Sequence, residues 1–136
     1  MAAANEIGLL VWSPLAGGYL SGKYAQAGGT TGRRAKLDFP PVDTAKGEWI
    51  LAVLREVAGE SQTTPAQVVL AWLLAREQIT SVIIGARTPE QLAINLDAQN
   101  LLLTSGQLAR LDEVSEAAVP FPHWMQRFHD RDRISG

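Results

Sequence analysis

Ile7-Gly8-Leu9-Leu10-Val11-Trp12-Ser13-Pro14-Leu15-Ala16-Gly17-Gly18-Tyr19-Leu20-Ser21-Gly22-Lys23 is the stretch on which the fold turns. The run from Ile7 to Trp12 is nearly all apolar and is closed by Ser13-Pro14. A run of that length without alternation predicts a strand buried on both faces, the pattern of parallel sheets. Small residues, Ala16, Gly17 and Gly18, come soon after, so a strand end passes directly into a loop whose backbone can lie close to a ligand.

Working outward, residues 15–44 are rich in Gly, Ala, Pro and charge, and they predict a long loop. Trp49, Ile50, Val53, Leu54 and Val57 then recur at helical spacing, with Gly59 as a stop, which predicts an amphipathic helix over 45–58. Thr64-Pro65-Ala66-Gln67 offers a hydroxyl cap, a proline at the first helical position and a glutamine that can return to the cap. The apolar helix that starts there leads into a second strand-like run, Thr80 to Gly85. The same capping chemistry recurs at Thr88-Pro89-Glu90-Gln91 and at Thr104-Ser105-Gly106-Gln107, each ahead of a helical period. The order strand, loop, helix, helix, strand, helix, helix implies a parallel α/β sheet with helical crossovers. Two strands cannot cover their own edges, so further strands are expected beside them.

Composition narrows the function classes. The chain has 136 residues, 46% hydrophobic and 19% charged, in the range of one domain with one core. A formal charge of −2 supplies no basic surplus for nucleic acid or for an anionic membrane surface. With no cysteine there is neither disulfide nor thiolate chemistry, which is compatible with the reducing cytoplasm expected here. The N-terminal apolar run is far shorter than the roughly 20 residues of a membrane helix.

Two loops carry the chemistry. Around Gly17 and Gly18, close-packed amides with Lys23 nearby suit a phosphate, although the same residues fit a glycine-rich turn with a surface lysine. In Ile83-Ile84-Gly85-Ala86-Arg87-Thr88-Pro89-Glu90-Gln91-Leu92-Ala93-Ile94-Asn95-Leu96, a strand end delivers a loop into a helix N-terminus. Free amides and the positive end of the helix dipole favour an anion there, and Arg87 adds a planar bidentate cation. Gln91 and Asn95 share a helical face, spaced to bond one adenine or ribose edge. A capped helix with an exposed arginine is the plainer reading of the same residues.

The first stretch, WSPLAGGYLSGKY, resembles the seventh-strand loop of aldo/keto reductases, and the second resembles the family's eighth-strand segment. Together they imply an α/β fold, the C-terminal part of a (βα)8 barrel contributing strands seven and eight with their helices. The chain then reads as one partial domain: 5–24 strand seven and phosphate loop, 25–44 long loop, 45–78 helices, 79–98 strand eight and cofactor helix, 104–116 last helix, and 117–136 tail. The resemblance implies NADP(H) as cofactor, with Ser13, Leu15, Gly17 and Lys23 at the diphosphate and ribose. Gly85, Arg87, Gln91 and Asn95 fall at the adenosine end, and Arg33 or Arg34, in the intervening loop, is the candidate for a further cofactor arginine that many members carry. Ile94 stands where members often carry an acidic residue, which implies a weaker adenine contact. The family's catalytic tyrosine, lysine, aspartate and histidine come from the first half of the barrel, and none of those motifs occurs in this sequence. The expectation is therefore a truncated oxidoreductase, inactive alone, whose partners are NADPH and a chain that supplies the missing strands. A non-catalytic nucleotide-binding or regulatory module is the alternative. Tyr19, Tyr24, His123 and His129 are expected at the surface or in packing rather than in catalysis.

Overall fold

A computed structural model describes residues 7–22 and 40–116. Strand β1 (Leu9–Trp12) leads into a 3-10 segment (Ala16–Ser21). Helices α1 (Thr44–Glu60) and α2 (Pro65–Leu74) follow, then strand β2 (Ile79–Ile83). Helix α3 (Pro89–Asp97), a short 3-10 turn (Ala98–Asn100) and helix α4 (Ser105–Ser115) complete the described chain. The two strands pair in parallel, with Leu10 beside Ser81, Val11 beside Val82 and Trp12 beside Ile83, and with an irregularity between Leu9 and Leu10.

The core lies among the helices. Buried Leu51, Leu54, Val57 and Ala58 of α1 meet Val68 and Val69 of α2 and Leu111 of α4, and Tyr19 joins them from the 3-10 segment. These α1 positions recur every three or four residues, so one stripe of the helix turns inward while Glu48, Arg55 and Glu56 face solvent. On α2, Val68, Val69, Leu70 and Ala71 are all buried, as an apolar helix packed on several sides requires. Polar ties fasten the outside of this packing. Arg110 of α4 donates to Glu60 (2.6 Å), Gln107 donates to Glu60 and Ser61 (3.0 and 3.2 Å), and Trp72 Nε1 donates to Asp112 (2.8 Å). The Arg76 hydrogen bond, followed by that of Trp72, holds the Asp112 carboxyl below its ordinary value.

The local chemistry of the caps is plain. Thr64 and Thr104 each accept from the amide three residues on, and Gln67 and Gln107 return to the cap amide, completing two capping boxes. Helix α1 begins on Asp43, whose carboxylate accepts from the Lys46 amide at 3.1 Å.

Two expectations are corrected. Gly59 does not stop α1, which continues to Glu60. The left-handed residue is Gln62 (φ 49°). Its amide donates to the Gly59 carbonyl (3.3 Å) while the Thr63 amide donates to that of Ala58 (2.9 Å), the paired bonds of a Schellman ending. Because glutamine is strained at positive φ, Gln62→Gly is expected to stabilise the chain by about 0.5–1 kcal/mol, read as a raised urea midpoint. No gain would mean that the flexibility glycine adds to the unfolded chain offsets the relief.

The second correction concerns the strands. They were expected to be buried on both faces, yet Leu10 is 65% exposed, Trp12 56% and Ile83 51%. Val11 and Val82, on the other face, are half-buried, and α2 packs against β2. Side chains alternate across a strand, so helical cover on one side leaves Leu10, Trp12, Ser81 and Ile83 on the open side. The apolar run encodes a second covering layer that the described residues do not contain.

Candidate functional site

Because β1 and β2 run in parallel and end in register at Trp12 and Ile83, the loops that follow them leave the same end of the sheet. The first loop is held in an unusual conformation. Ser13 (φ 53°), Ala16 (49°), Gly17 (67°), Gly18 (95°) and Gly22 (75°) all have left-handed backbone, two of them without the freedom of glycine. Strain of this kind, about 1–3 kcal/mol per non-glycine residue, concentrates at functional sites.

Several of the loop's amides, expected to be free for a ligand, are engaged within the loop itself. The Ala16 amide donates to the Ser13 carbonyl (2.9 Å), Gly17 to the Ser13 hydroxyl (3.2 Å), Gly18 to the Leu15 carbonyl (2.9 Å) and Leu20 to that same carbonyl (3.2 Å). Ser13 and Leu15 therefore build the turn from within. The Leu15 side chain packs on the core, and the Ser21 hydroxyl donates to the Gly18 carbonyl at 2.6 Å. With these amides engaged, the loop offers an incoming anion its shape and the Ser13 hydroxyl. Lys23 and Arg33 lie outside the described residues, as do Tyr24, the segment 23–39 and the tail from 117.

The second loop closes on itself in a similar way. Thr88 caps α3 by accepting from the Gln91 amide (3.2 Å), and the Gln91 side chain turns back to accept from the Arg87 amide (3.0 Å). Glu90, in the first turn, has its carboxyl held below the ordinary value by its own backbone amide and then by the Thr88 hydroxyl. The amides of Glu90 and Gln91, expected to be free for an anion, thus already have partners. Arg87 is exposed and, among the described residues, forms no ion pair. Gln91 and Asn95 are half-buried one helical turn apart. Among the described residues, a Cβ placed on Gly85 would meet no atom within 4 Å, so none of their packing demands glycine there.

Sequence reasoning did not single out Trp12 or Glu90. Trp12 lies on the open face of the sheet, next to the first loop. Its signal was its place at the end of an apolar run. Glu90 was legible as a cap residue but not as an anion already seated at the helix end. Among the described residues no cluster of His, Asp or Glu could hold a metal ion, and no helix is long and apolar enough to cross a membrane.

The whole of this architecture falls inside a match to the Aldo/keto reductase family over residues 1–116. Over 116 residues the chain is 34% identical to the L-glyceraldehyde 3-phosphate reductase of Escherichia coli (strain K12), covering 80% of this chain and 34% of that protein. It is 36% identical over 118 residues to an uncharacterized oxidoreductase of Bacillus subtilis (strain 168), covering 84% of this chain and 34% of that protein. A putative voltage-gated potassium channel subunit beta of Schizosaccharomyces pombe is 34% identical over 116 residues, 79% of this chain and 33% of that protein. The chain spans about a third of the length of these relatives.

Proposed function

The chain belongs to the aldo/keto reductase family, and from that premise we propose that it is the NADP(H)-binding C-terminal part of a carbonyl oxidoreductase. In this reading β1 and β2 are strands seven and eight of a (βα)8 barrel, whose ligands bind at the C-terminal ends of the strands. The observation that carries the reading is the parallel register, which brings both strand-end loops to one end of the sheet. The open apolar face supports the barrel, because Leu10, Trp12 and Ile83 would then point into its interior.

The residues present fit a dinucleotide phosphate. The left-handed loop at 16–18 and the Ser13 hydroxyl would cradle the diphosphate, with Lys23 and Arg33 adding charge. Arg87 would hold the 2′-phosphate, Gln91 and Asn95 the adenine edge, and Gly85 lets the ligand approach the backbone. Trp12 would stack on a flat ring of the cofactor. When bound, the cofactor supplies a hydride for an aldehyde or ketone carbon. The tyrosine acid that would protonate the carbonyl oxygen comes from the other barrel strands, supplied by a further stretch of polypeptide or a second chain, and the assembly works in the cytoplasm.

NADPH titration of the 136-residue chain, followed by tryptophan emission and with size-exclusion chromatography on the same sample, tests this. Saturable quenching of a monodisperse species is expected, with Trp12 as reporter. Absence of binding, both alone and with the complementary barrel strands added, would overturn the cofactor reading. The likeness to a channel β subunit favours a nucleotide-binding regulatory module as the second reading. Cofactor binding without carbonyl reduction in the completed barrel would select it.

A further inference from the structure

Gly47 lies in the first turns of α1, where glycine is the poorest helix former after proline, and its amide donates to the Asp43 carbonyl at 2.8 Å as any helical residue would. The reason for glycine is in the space above it. A Cβ there would stand 2.6 Å from Tyr19 Cε1, 2.7 Å from its hydroxyl oxygen and 2.9 Å from Cζ. Tyr19 is 9% exposed, and its hydroxyl donates to Glu48 Oε1 at 3.1 Å. Its ring is thus laid across the helix backbone and fastened at its far end. Tyr19 also follows Gly17 and Gly18 directly, and its carbonyl accepts from the Gly22 amide at 3.1 Å.

We propose that Tyr19 and Gly47 form a positioning pair that fixes the left-handed path of the loop 13–22 against α1. The Tyr19 ring is held among Leu51, Leu54 and the rest of the helical core, so a methyl group on residue 47 cannot be met by the ring alone. The ring and the short 3-10 segment that carries it must shift together. The strained angles at Ser13 and Ala16 persist because this contact and the loop's own hydrogen bonds over-determine them. Any consequence for NADPH rests on the cofactor reading above, whereas the coupling of loop to helix does not.

Hydrogen exchange in the full chain tests the pair. In Gly47→Ala, protection of the Gly17, Gly18, Leu20 and Gly22 amides is expected to fall roughly tenfold or more while that of Val68 to Ala71 in α2 stays within about twofold. Tyr19→Leu combined with Gly47→Ala should loosen the loop little further than either change alone, since each breaks the same contact. An unchanged loop, or an equal loss in loop and core, overturns the proposal. Should Gly47→Ala fail to fold, Tyr19→Phe keeps the ring and removes the hydroxyl that bonds Glu48. It must still loosen the loop selectively, and an unaltered loop there also overturns the pairing. NADPH affinity should weaken in parallel with loop protection. If the unsubstituted chain binds no NADPH, the cofactor reading fails while the exchange pattern still decides the pair.

Discussion

Leu54→Ala is expected to lower stability by about 3 kcal/mol, the centre of the range for truncating a fully buried leucine. Leu54 is 2% exposed at the junction of α1 with its neighbours, beside Leu51, Val57, Val68 and Leu111. Truncation forfeits the transfer of several methyl groups and leaves a cavity that three packed helices cannot close without shifting their polar ties, Glu60 to Arg110 and Trp72 to Asp112. Small domains have only about 5–15 kcal/mol in hand, and here one face of the sheet contributes little burial, so the loss is a large fraction of the total. With a slope of about 1.5 kcal/mol per molar urea, the midpoint followed by far-ultraviolet circular dichroism should fall by about 2 M. Leu102→Ala is the control. Leu102 is 89% exposed, and its truncation should change stability by less than about 0.5 kcal/mol. If the two variants lost comparable amounts, the helical cluster would not be the seat of stability.

That the core is helical and the sheet half-covered bears on what the sequence could reveal. The caps at Thr64 and Thr104 were legible because their chemistry is confined to four consecutive residues. Thr88 was legible too, but Gln91 turned to the Arg87 amide, a choice between two nearby donors that spacing does not decide. Strand positions were legible to within a residue or two, since apolar runs closed by Ser-Pro or Gly mark them. Burial of the strands was not, because an apolar run states what a strand needs and not what lies against it. The left-handed residues at Ser13, Ala16 and Gln62 carried no glycine signal and were invisible in the sequence. The Tyr19–Gly47 contact joins residues far apart in the chain, and a long-range packing constraint on a helical glycine has no local trace.

The candidate site shows the same division. Residue types marked both loops as places for an anion, and the parallel register brings the loops to one end of the sheet. Sequence reasoning overestimated the free amides. The amides of Ala16, Gly17, Gly18 and Leu20 are engaged by Ser13 and Leu15, and those of Arg87 and Gln91 by Gln91 and Thr88. Preformed turns of this kind lower the ordering cost of binding, and they move the work of attracting phosphate onto side-chain cations.

Arg87 is an exposed cation of the second loop, and on the proposed cofactor reading Arg87→Ala is expected to weaken NADPH binding roughly 10–100-fold, equivalent to about 1.5–3 kcal/mol for a lost charge-assisted hydrogen bond. NADH lacks the 2′-phosphate that the guanidinium would grip, so its affinity should change by less than about threefold. The fold should be unaffected, because Arg87 is exposed, forms no ion pair among the described residues, and contributes to the α3 cap only through its backbone amide. Arg87→Lys should fall between, keeping the charge but losing the planar fork. Glu90 sharpens the contrast. Its carboxylate, seated on the first turn of α3, would repel a phosphate drawn toward Arg87, so Glu90→Gln should tighten NADPH and leave NADH nearly unchanged. Parallel fluorescence titrations with the two dinucleotides at one ionic strength decide the matter. A selective loss of NADPH on removing Arg87 assigns the guanidinium to the 2′-phosphate, and equal losses for both would remove it from that position and leave the specificity of the site to residues 23–39.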